Sequence, residues 1–453
     1  MAAMAAAQRR QGDRRRMTAR FDAAIIGAGA AGLSTAYGLA RLGLKIALIE
    51  RGVMGGECLN HGCVPSKALL AAARGGADWG QAQARVRAAI AAIAPADSAE
   101  RYAGLGCTVM RGQARLIGDR EIDVEGRRIL ARRVVVAVGS RTAVPAFCTA
   151  LPYLTNETIW DLPMLPAHLL ILGAGPMGCE MAEAFANLGA QVTLIGHVLP
   201  REAPALAAPI IESLAARGVT LVGARAVAAR PGPALVLEDG TELTGSHLLL
   251  ATGRVVDVTG LGLAAGPNGI RTDAGLRVHG HRHIYAAGDC ADPDGIGPQR
   301  LTHVAGAHAA LLVRRIAFRL PGRLSATPPV RVVYTAPELA QVGATTGATI
   351  LTHPFTENDR AIAEQNTIGL ARLVLDARGR LIGAGITAPG AGEMIGLYAL
   401  AIAQKLPLRA LAGLMLPYPT RSEAGKRAAG SHFAARLFGP KIRKITGLLN
   451  HLP

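Results

Sequence analysis

Aromatic residues are scarce in this chain: Phe, Trp and Tyr make up 4% of its 453 residues, and only two are Trp. A core with so few rings must be filled by aliphatic side chains, as in sheets covered by Ala-rich helices. Cysteine is scarce as well. Of Cys58, Cys63, Cys107, Cys148, Cys179 and Cys290, only the first two are close in sequence. That spacing excludes a secreted disulfide framework and suits one reactive pair in a reducing compartment. No uninterrupted apolar run of about 18 residues occurs, which excludes a transmembrane helix. No apolar segment of the signal-peptide kind follows the basic start. The cytoplasm is therefore the expected location.

Acidic residues are the remaining shortage. The 32 Asp and Glu face 49 Lys and Arg, for a formal net charge of +17. Part of the excess lies in the first 17 residues, which hold Arg9, Arg10, Arg14, Arg15 and Arg16 with one acid and no apolar periodicity. Residues 1–20 are expected to be a leader without ordered structure, with Met17 as an alternative start. The remaining charge is scattered and no nucleic-acid reader motif accompanies it, so no nucleic-acid partner is expected. The length allows two to four domains.

Glycine, by contrast, is abundant and placed in a repeated pattern. Phe21 to Gly32 reads F-D-A-A-I-I-G-A-G-A-A-G: an apolar strand entering a G-x-G-x-x-G turn. An Ala/Leu-rich helix then runs to about Leu42, and after Gly43 a strand, K-I-A-L-I-E, ends at Glu50. Gly27 makes the tight turn, Gly29 lets backbone approach a pyrophosphate, and Gly32 lets helix pack on strand. The helix N-terminus faces the phosphates, and Glu50 can hold a ribose hydroxyl.

The same grammar returns at His168. The strand L-L-I-L precedes Gly173, Gly175 and Gly178, a helix runs to Leu188, and Q-V-T-L-I leads to Gly196. The spacing from Gly27 to Glu50 equals that from Gly173 to Gly196, so a glycine stands where the first copy has its acid. The first site should therefore take an unphosphorylated ribose, as in the adenosine of FAD. The second lacks a carboxylate to repel a ribose phosphate, and His197 and Arg201 stand just beyond it, so NADPH is expected over NADH. A-V-G-S (with Gly139) and A-T-G-R (with Gly253) each follow an apolar run, where small residues let backbone pass close to a nucleotide. I-Y-A-A-G-D-C ends a strand at Gly288 and Asp289, whose carboxylate can accept a ribityl or ribose hydroxyl.

Beyond Glu50 comes G-G-E-C-L-N-H-G-C-V-P-S-K, in which Cys58 and Cys63 sit in a loop bounded by Gly56 and its neighbour. Pro65 suits the first turn of a helix. Cys63 would then stand at that helix's N-terminus, where partial positive charge favours a thiolate. Lys67 falls four residues later, near the same face.

With these motifs the chain resembles the class I pyridine nucleotide–disulfide oxidoreductases, which include dihydrolipoamide dehydrogenase, glutathione reductase and mercuric reductase. The resemblance covers nearly everything from Phe21 and includes T-A-P-E-L-A-Q-V-G (Thr335 to Gly343), similar to the start of that family's dimerisation domain. It implies an α/β fold with two Rossmann-like dinucleotide-binding domains and a C-terminal α+β dimerisation domain. The FAD domain would span 21–144 and 253–321, the NAD(P) domain 145–252, and the dimerisation domain 328–453. It also implies a homodimer, with FAD and NAD(P)H as cofactors. Cys63 would be the thiol beside the flavin and Cys58 the interchange thiol that meets the acceptor. Lys67, paired with Glu180, would sit beside the flavin, Asp289 would bind the ribityl region, and His303 would begin a helix pointing at the ring.

The chain departs from the pattern near its end. Where the disulfide reductases have H-P-T-x-x-E, it reads L-P-Y-P-T-R-S-E, so Tyr418 replaces the acid–base His while Glu423 remains. A His titrates near neutrality, whereas Tyr, with a reference pKa of about 10, stays protonated. Mercuric reductases also carry Tyr there, but their C-terminal Cys pair has no counterpart after Cys290. The expectation is an NAD(P)H-dependent flavoenzyme reducing a thiol- or disulfide-type acceptor, with a metal ion as the alternative and no resident metal site. Residues 431–453 place Arg436, Lys441, Arg443 and Lys444 among Phe433, Leu437, Phe438, Ile442, Ile445, Leu448 and Leu449. Such a tail fits a helix packed on its own dimer. The alternative is a membrane-surface electron-transfer module that docks by this tail and passes electrons to a quinone or protein partner.

Overall fold

The computed structural model describes residues 19–451, with backbone alone for residues 435 and 436. β1 (Ala19–Ile26), α1 (Ala30–Arg41) and β2 (Ile46–Glu50) form the first strand–helix–strand unit. The leader lies outside the described residues except for its last two, which are strand. Ala19 and Arg20 are exposed yet pair with Ile129 and Leu130, because a ladder needs backbone groups, not apolar side chains. A short helix α2 (Gly56–Asn60) and a helical hairpin, α3 (Cys63–Arg74) and α4 (Trp79–Ile93), come next. β3 (Thr108–Arg111), β4 (Ala114–Leu116), β5 (Glu121–Val124) and β6 (Arg127–Val136) follow. β3-β2-β1-β6 are parallel, while β5 and β4 continue antiparallel from the first residues of β6. Ala23, Ala24, Ile25 and Val134 are fully buried. The second halves of β1 and β6 read as unbroken apolar runs because both faces of the sheet are covered there.

The second unit repeats the plan with β7 (His168–Leu172), α6 (Pro176–Asn187), β8 (Gln191–Ile195), α7 (Pro204–Ala216), β9 (Thr220–Val222) and β10 (His247–Leu250). (The fifth helix, α5, is the short Ala99–Gly104 before β3.) Its strands are parallel in the order β9-β8-β7-β10. The chain then returns to the first sheet. β11 (Ile284–Ala286) pairs with the end of β6, and α8 (Thr302–Ala317) packs on α1. Last come β12 (Arg331–Val333), β13 (Glu338–Gly343), β14 (Thr349–Pro354), β15 (Leu370–Leu375) and β16 (Leu381–Ala388), with α9 (Glu423–Leu437) and α10 (Pro440–Leu449). These five strands form an antiparallel sheet ordered β12-β13-β16-β15-β14.

The cysteine-bearing helix joins two units. α3 is continuous in chain with the first, but its Leu69, Leu70, Ala72 and Ala73 share a core with Met181 and Phe185 of α6. Two buried carboxylates of α6 then fasten it. Lys67 Nζ donates to Glu180 Oε2 at 2.7 Å, and the Tyr334 amide donates to Oε1 at 3.1 Å. Arg74 Nε donates to Glu183 Oε1 at 2.7 Å, and the Ala336 amide donates to Oε2 at 2.6 Å. Lys67 and Arg74 lie two turns apart on α3, and Glu180 and Glu183 one turn apart on α6, so both pairs close along one seam. The two amides belong to the link between β12 and β13. Arg74→Leu should lower the unfolding free energy by roughly 3 kcal/mol, because a buried carboxylate loses its counter-charge. Adding Glu183→Leu should restore part of that loss in denaturant melts. Equal instability of the single and double variants would exclude an uncompensated charge as the cause.

Candidate active site

Both glycine turns close on backbone. A Cβ at Gly27 would come within 2.3 Å of the Ala137 carbonyl oxygen, and one at Gly173 within 2.3 Å of that of Ala251. These are the residues at which A-V-G-S and A-T-G-R begin, so each turn is pressed against the segment expected to pass near its nucleotide. In the first unit α2 adds a second close approach. Gly56 has φ +62°, and a Cβ there would lie 2.5 Å from Gly29 Cα. At the end of β2, Glu50 Oε2 accepts from the Ala28 amide at 2.6 Å and Oε1 from the Gly52 amide at 2.7 Å.

Gly27, Gly29, Glu50, Gly56 and Gly139 line one cavity of about 400 Å³. A second, of about 230 Å³, is lined by Gly29, Gly139, Gly288, Asp289, Cys58 and Cys63. With Gly29 and Gly139 in both, the two make a cleft running from an acid at a strand end to the cysteine pair. Its glycine floor, its carboxylate and the α1 N-terminus fit the adenosine and diphosphate of FAD.

The walls of this cleft contain two residues the sequence reading missed. Arg254, the last residue of A-T-G-R, grips the Glu57 carboxylate through both terminal nitrogens. Its Nε donates to Ser140 Oγ at 2.7 Å, and Ser140 Oγ donates to Asp289 Oδ2 at 2.6 Å. Asn156 Nδ2 also donates to Glu57, at 2.7 Å. Burial raises the Glu57 carboxyl above its ordinary value, outweighing Arg254, which lowers it. Adjacency to Cys58 was the signal for Glu57, but its partner is 197 residues away.

Cys58 lies not in an open loop, as read from sequence, but within α2, and Cys63 is the first residue of α3. The hydroxyl of Thr302 stands 3.4 Å from Cys58 Sγ and 3.5 Å from Cys63 Sγ. Thr302 opens α8, so two helix N-termini converge on the pair. The hydrogen bond from Cys58, then those of Thr302 and the Lys67 charge, lower the Cys63 thiol to about 6, against burial and Glu180. The same bond, with burial, raises Cys58. The reduced pair therefore holds its negative charge on Cys63 and its proton on Cys58. Lys67 Nζ lies 4.3 Å above the Tyr334 ring, a contact absent from the sequence reading.

The α8 helix begins where expected, but Thr302 is the residue that meets the sulfurs; His303 beside it is exposed. The buried histidine of α8 is His308, which accepts from the Gly288 amide at 3.1 Å and is kept neutral by burial, near 4. In the second unit Gly175 and Gly178 flank the start of α6, and Gly253 follows β10. His197 and Arg201 are both exposed beyond Gly196. Tyr418 is 70% exposed, and its bond to Asp359 raises the phenol. Glu423 opens α9 and accepts from the Thr420 amide at 3.3 Å. Neither lines the cavities around its own chain's Cys58 and Cys63. A further cavity of about 420 Å³ opens on the other side of Cys58, walled by Leu33, Tyr37, Leu59, Ile93 and Arg101.

The profile of the pyridine nucleotide-disulphide oxidoreductases matches residues 21–310, and that of their dimerisation domain matches 329–429. The chain belongs to this family. Mercuric reductase of Streptomyces lividans is 35% identical, over 90% of this chain and 95% of that protein. Dihydrolipoyl dehydrogenase of Chlorobaculum tepidum is 31% identical, over 91% and 97%. A Cu(II) complex of the HOCl-induced flavoprotein disulfide reductase RclA from Escherichia coli superposes with a TM-score of 0.80 at 27% identity, over 89% of this chain and 98% of that one. This oxidoreductase is thus an FAD- and NAD(P)H-dependent enzyme with a dimerisation domain. Among the described residues no helix is long and apolar enough to cross a membrane.

Lys67→Met and Thr302→Ala should each move the Cys63 titration upward from about 6. Wild-type Cys63 should lose reactivity only as pH falls through that value, because protonation removes the thiolate. The check is the pH dependence of Cys63 alkylation in the reduced protein, followed by mass spectrometry. An unshifted profile in both variants would remove these two groups from the account.

Proposed function

We propose that the enzyme takes electrons from NADPH in preference to NADH and passes them through Cys63 and Cys58 to a thiol- or disulfide-type acceptor, in the cytoplasm. The observation that carries this reading is the position of Cys58. It lines both the cofactor cleft and the outer cavity, while the charged sulfur, Cys63, lines only the inner one.

FAD would be held by Gly27, Gly29, Gly32, Glu50, Gly56, Gly139, Gly288 and Asp289, and when bound would supply two-electron transfer between nicotinamide and the disulfide. The chain's own residues do the rest. Glu180 pins Lys67 beside the pair, and Lys67 with Thr302 keeps Cys63 ionised. Cys58 attacks one sulfur of the acceptor disulfide and releases the first thiol. Cys63 then attacks Cys58, releasing the second thiol and leaving the Cys58–Cys63 disulfide. Two electrons pass to the acceptor; the proton that Cys58 gives up as it attacks leaves with the first thiol, and the second departing thiolate takes its proton from water. Tyr418 and Glu423, supplied by a second copy of the chain, would face Cys58, with the phenol as hydrogen-bond donor rather than base.

A metal ion is the second reading of the acceptor, favoured by the mercuric reductases among the relatives and by Tyr418. Both are tested by NADPH oxidation against small disulfides, lipoamide, Hg(II) and Cu(II). Cys58→Ala should keep reduction of the flavin by NADPH and lose at least roughly a hundredfold in disulfide turnover. Full disulfide turnover in that variant would sink the relay; turnover with metal ions alone would select the second reading.

The coenzyme preference rests on Gly196, His197 and Arg201. Arg201→Glu should raise KM for NADPH about tenfold with little change for NADH, since a new carboxylate repels only the ribose phosphate. Equal effects on both would leave the preference without support.

A further inference from the structure

The last helix of the chain serves none of this chemistry. α10 starts at Pro440 after Gly439, whose extended backbone (φ −73°, ψ 163°) breaks it from α9. None of its described residues is buried. Ile442, Ile445 and Leu449 are spaced by three and four, and Leu448 adjoins them, so the apolar residues share one stripe. Ile445, Leu448 and Leu449 are 49%, 71% and 55% exposed. Leu437 and Phe438, just before the break, are 57% and 65% exposed.

The charge around this stripe is one-sided. From Ala424 to the end there is no Asp or Glu; Arg427, back in α9, is paired with Asp359, while Arg436, Lys441, Arg443 and Lys444, near the stripe, are all basic. The partner must therefore be anionic and also accept an apolar stripe. A pairing of this tract with its own copy fits poorly. The match to the dimerisation domain ends at residue 429, and a two-fold contact through this tract would set like charges together with no acid to pair them. Nucleic acid would answer the charge but not the aliphatic stripe. An anionic lipid surface answers both, with the stripe below the headgroups and the basic side chains among them.

We propose that α10 lays this enzyme on an anionic lipid surface as an interfacial helix. A homodimer would carry two such helices, and two together hold far more firmly than one. The inference is independent of the acceptor and of the coenzyme.

The test is co-sedimentation of the FAD-loaded, full-length enzyme with vesicles. Most of the protein should pellet with phosphatidylcholine vesicles containing about one-third phosphatidylglycerol, with the bound fraction falling at least roughly fivefold on pure phosphatidylcholine. A similar fall is expected at about 0.5 M salt, where the charges are screened. Ile445→Glu/Leu448→Glu/Leu449→Glu should abolish binding while NADPH oxidation and dimer mass stay unchanged. Lys441→Glu/Arg443→Glu/Lys444→Glu, which keeps the stripe, should lose binding to the anionic vesicles. The proposal is overturned if the wild type stays in the supernatant or if both variants pellet like it. It is equally overturned if the first variant becomes monomeric, which would assign the stripe to a second copy, or if RNA binds where vesicles do not.

Discussion

Two carboxylates on one helix hold the reactive part of this enzyme together. Glu180 and Glu183 each use one oxygen for a cation of α3 and the other for an amide between β12 and β13. Three units of the fold meet along that seam. Both acids are buried, so neither tolerates the loss of its partner. The arrangement is rigid where the chemistry needs it. Lys67 cannot leave the neighbourhood of Cys63 without exposing Glu180 to an apolar interior. The same seam ties the cysteine-bearing helix to the second strand–helix unit and to the link between β12 and β13.

The cysteine pair uses this rigidity to separate charge from proton. The hydrogen bond from Cys58, the Thr302 hydroxyl and the Lys67 ammonium group favour the thiolate at Cys63, and burial and Glu180 oppose it. The sum leaves an ionised sulfur that lines only the inner cavity and a protonated one that also lines the outer cavity. Asymmetry of this kind gives direction to a dithiol, because each sulfur is tuned for a different neighbour. Glu57, Arg254, Ser140 and Asp289 form a second hydrogen-bonded chain. It links α2, the strand end after β6 and the return from the second domain in a single hydrogen-bonded wall.

Much of this was legible in local sequence. The two glycine turns, Glu50 at the strand end, Cys63 at a helix start and the acid missing at Gly196 follow from patterns within about 25 residues. The Lys67–Glu180 pairing came only through resemblance, since no spacing rule connects residues 113 apart. Other features were not legible at all. The helix that holds Cys58 is five residues long, too short to show a period in sequence. His303 came only through the resemblance, yet it is the neighbouring Thr302 that reaches both sulfurs.

The sequence alone thus determined the repeated strand–glycine turn–helix–strand unit, the close cysteine pair and the family, because each resides in a short segment whose backbone needs are met by neighbouring residues. Only the tertiary structure decided which groups surround the pair. Thr302, Tyr334, Glu57 with Arg254, and the second contact of each buried carboxylate come from segments distant in chain. Hydrogen bonds and desolvation depend on positions in space that no local pattern encodes. The same holds for α10. Its composition announced an amphipathic helix, but only the fold left its apolar stripe uncovered.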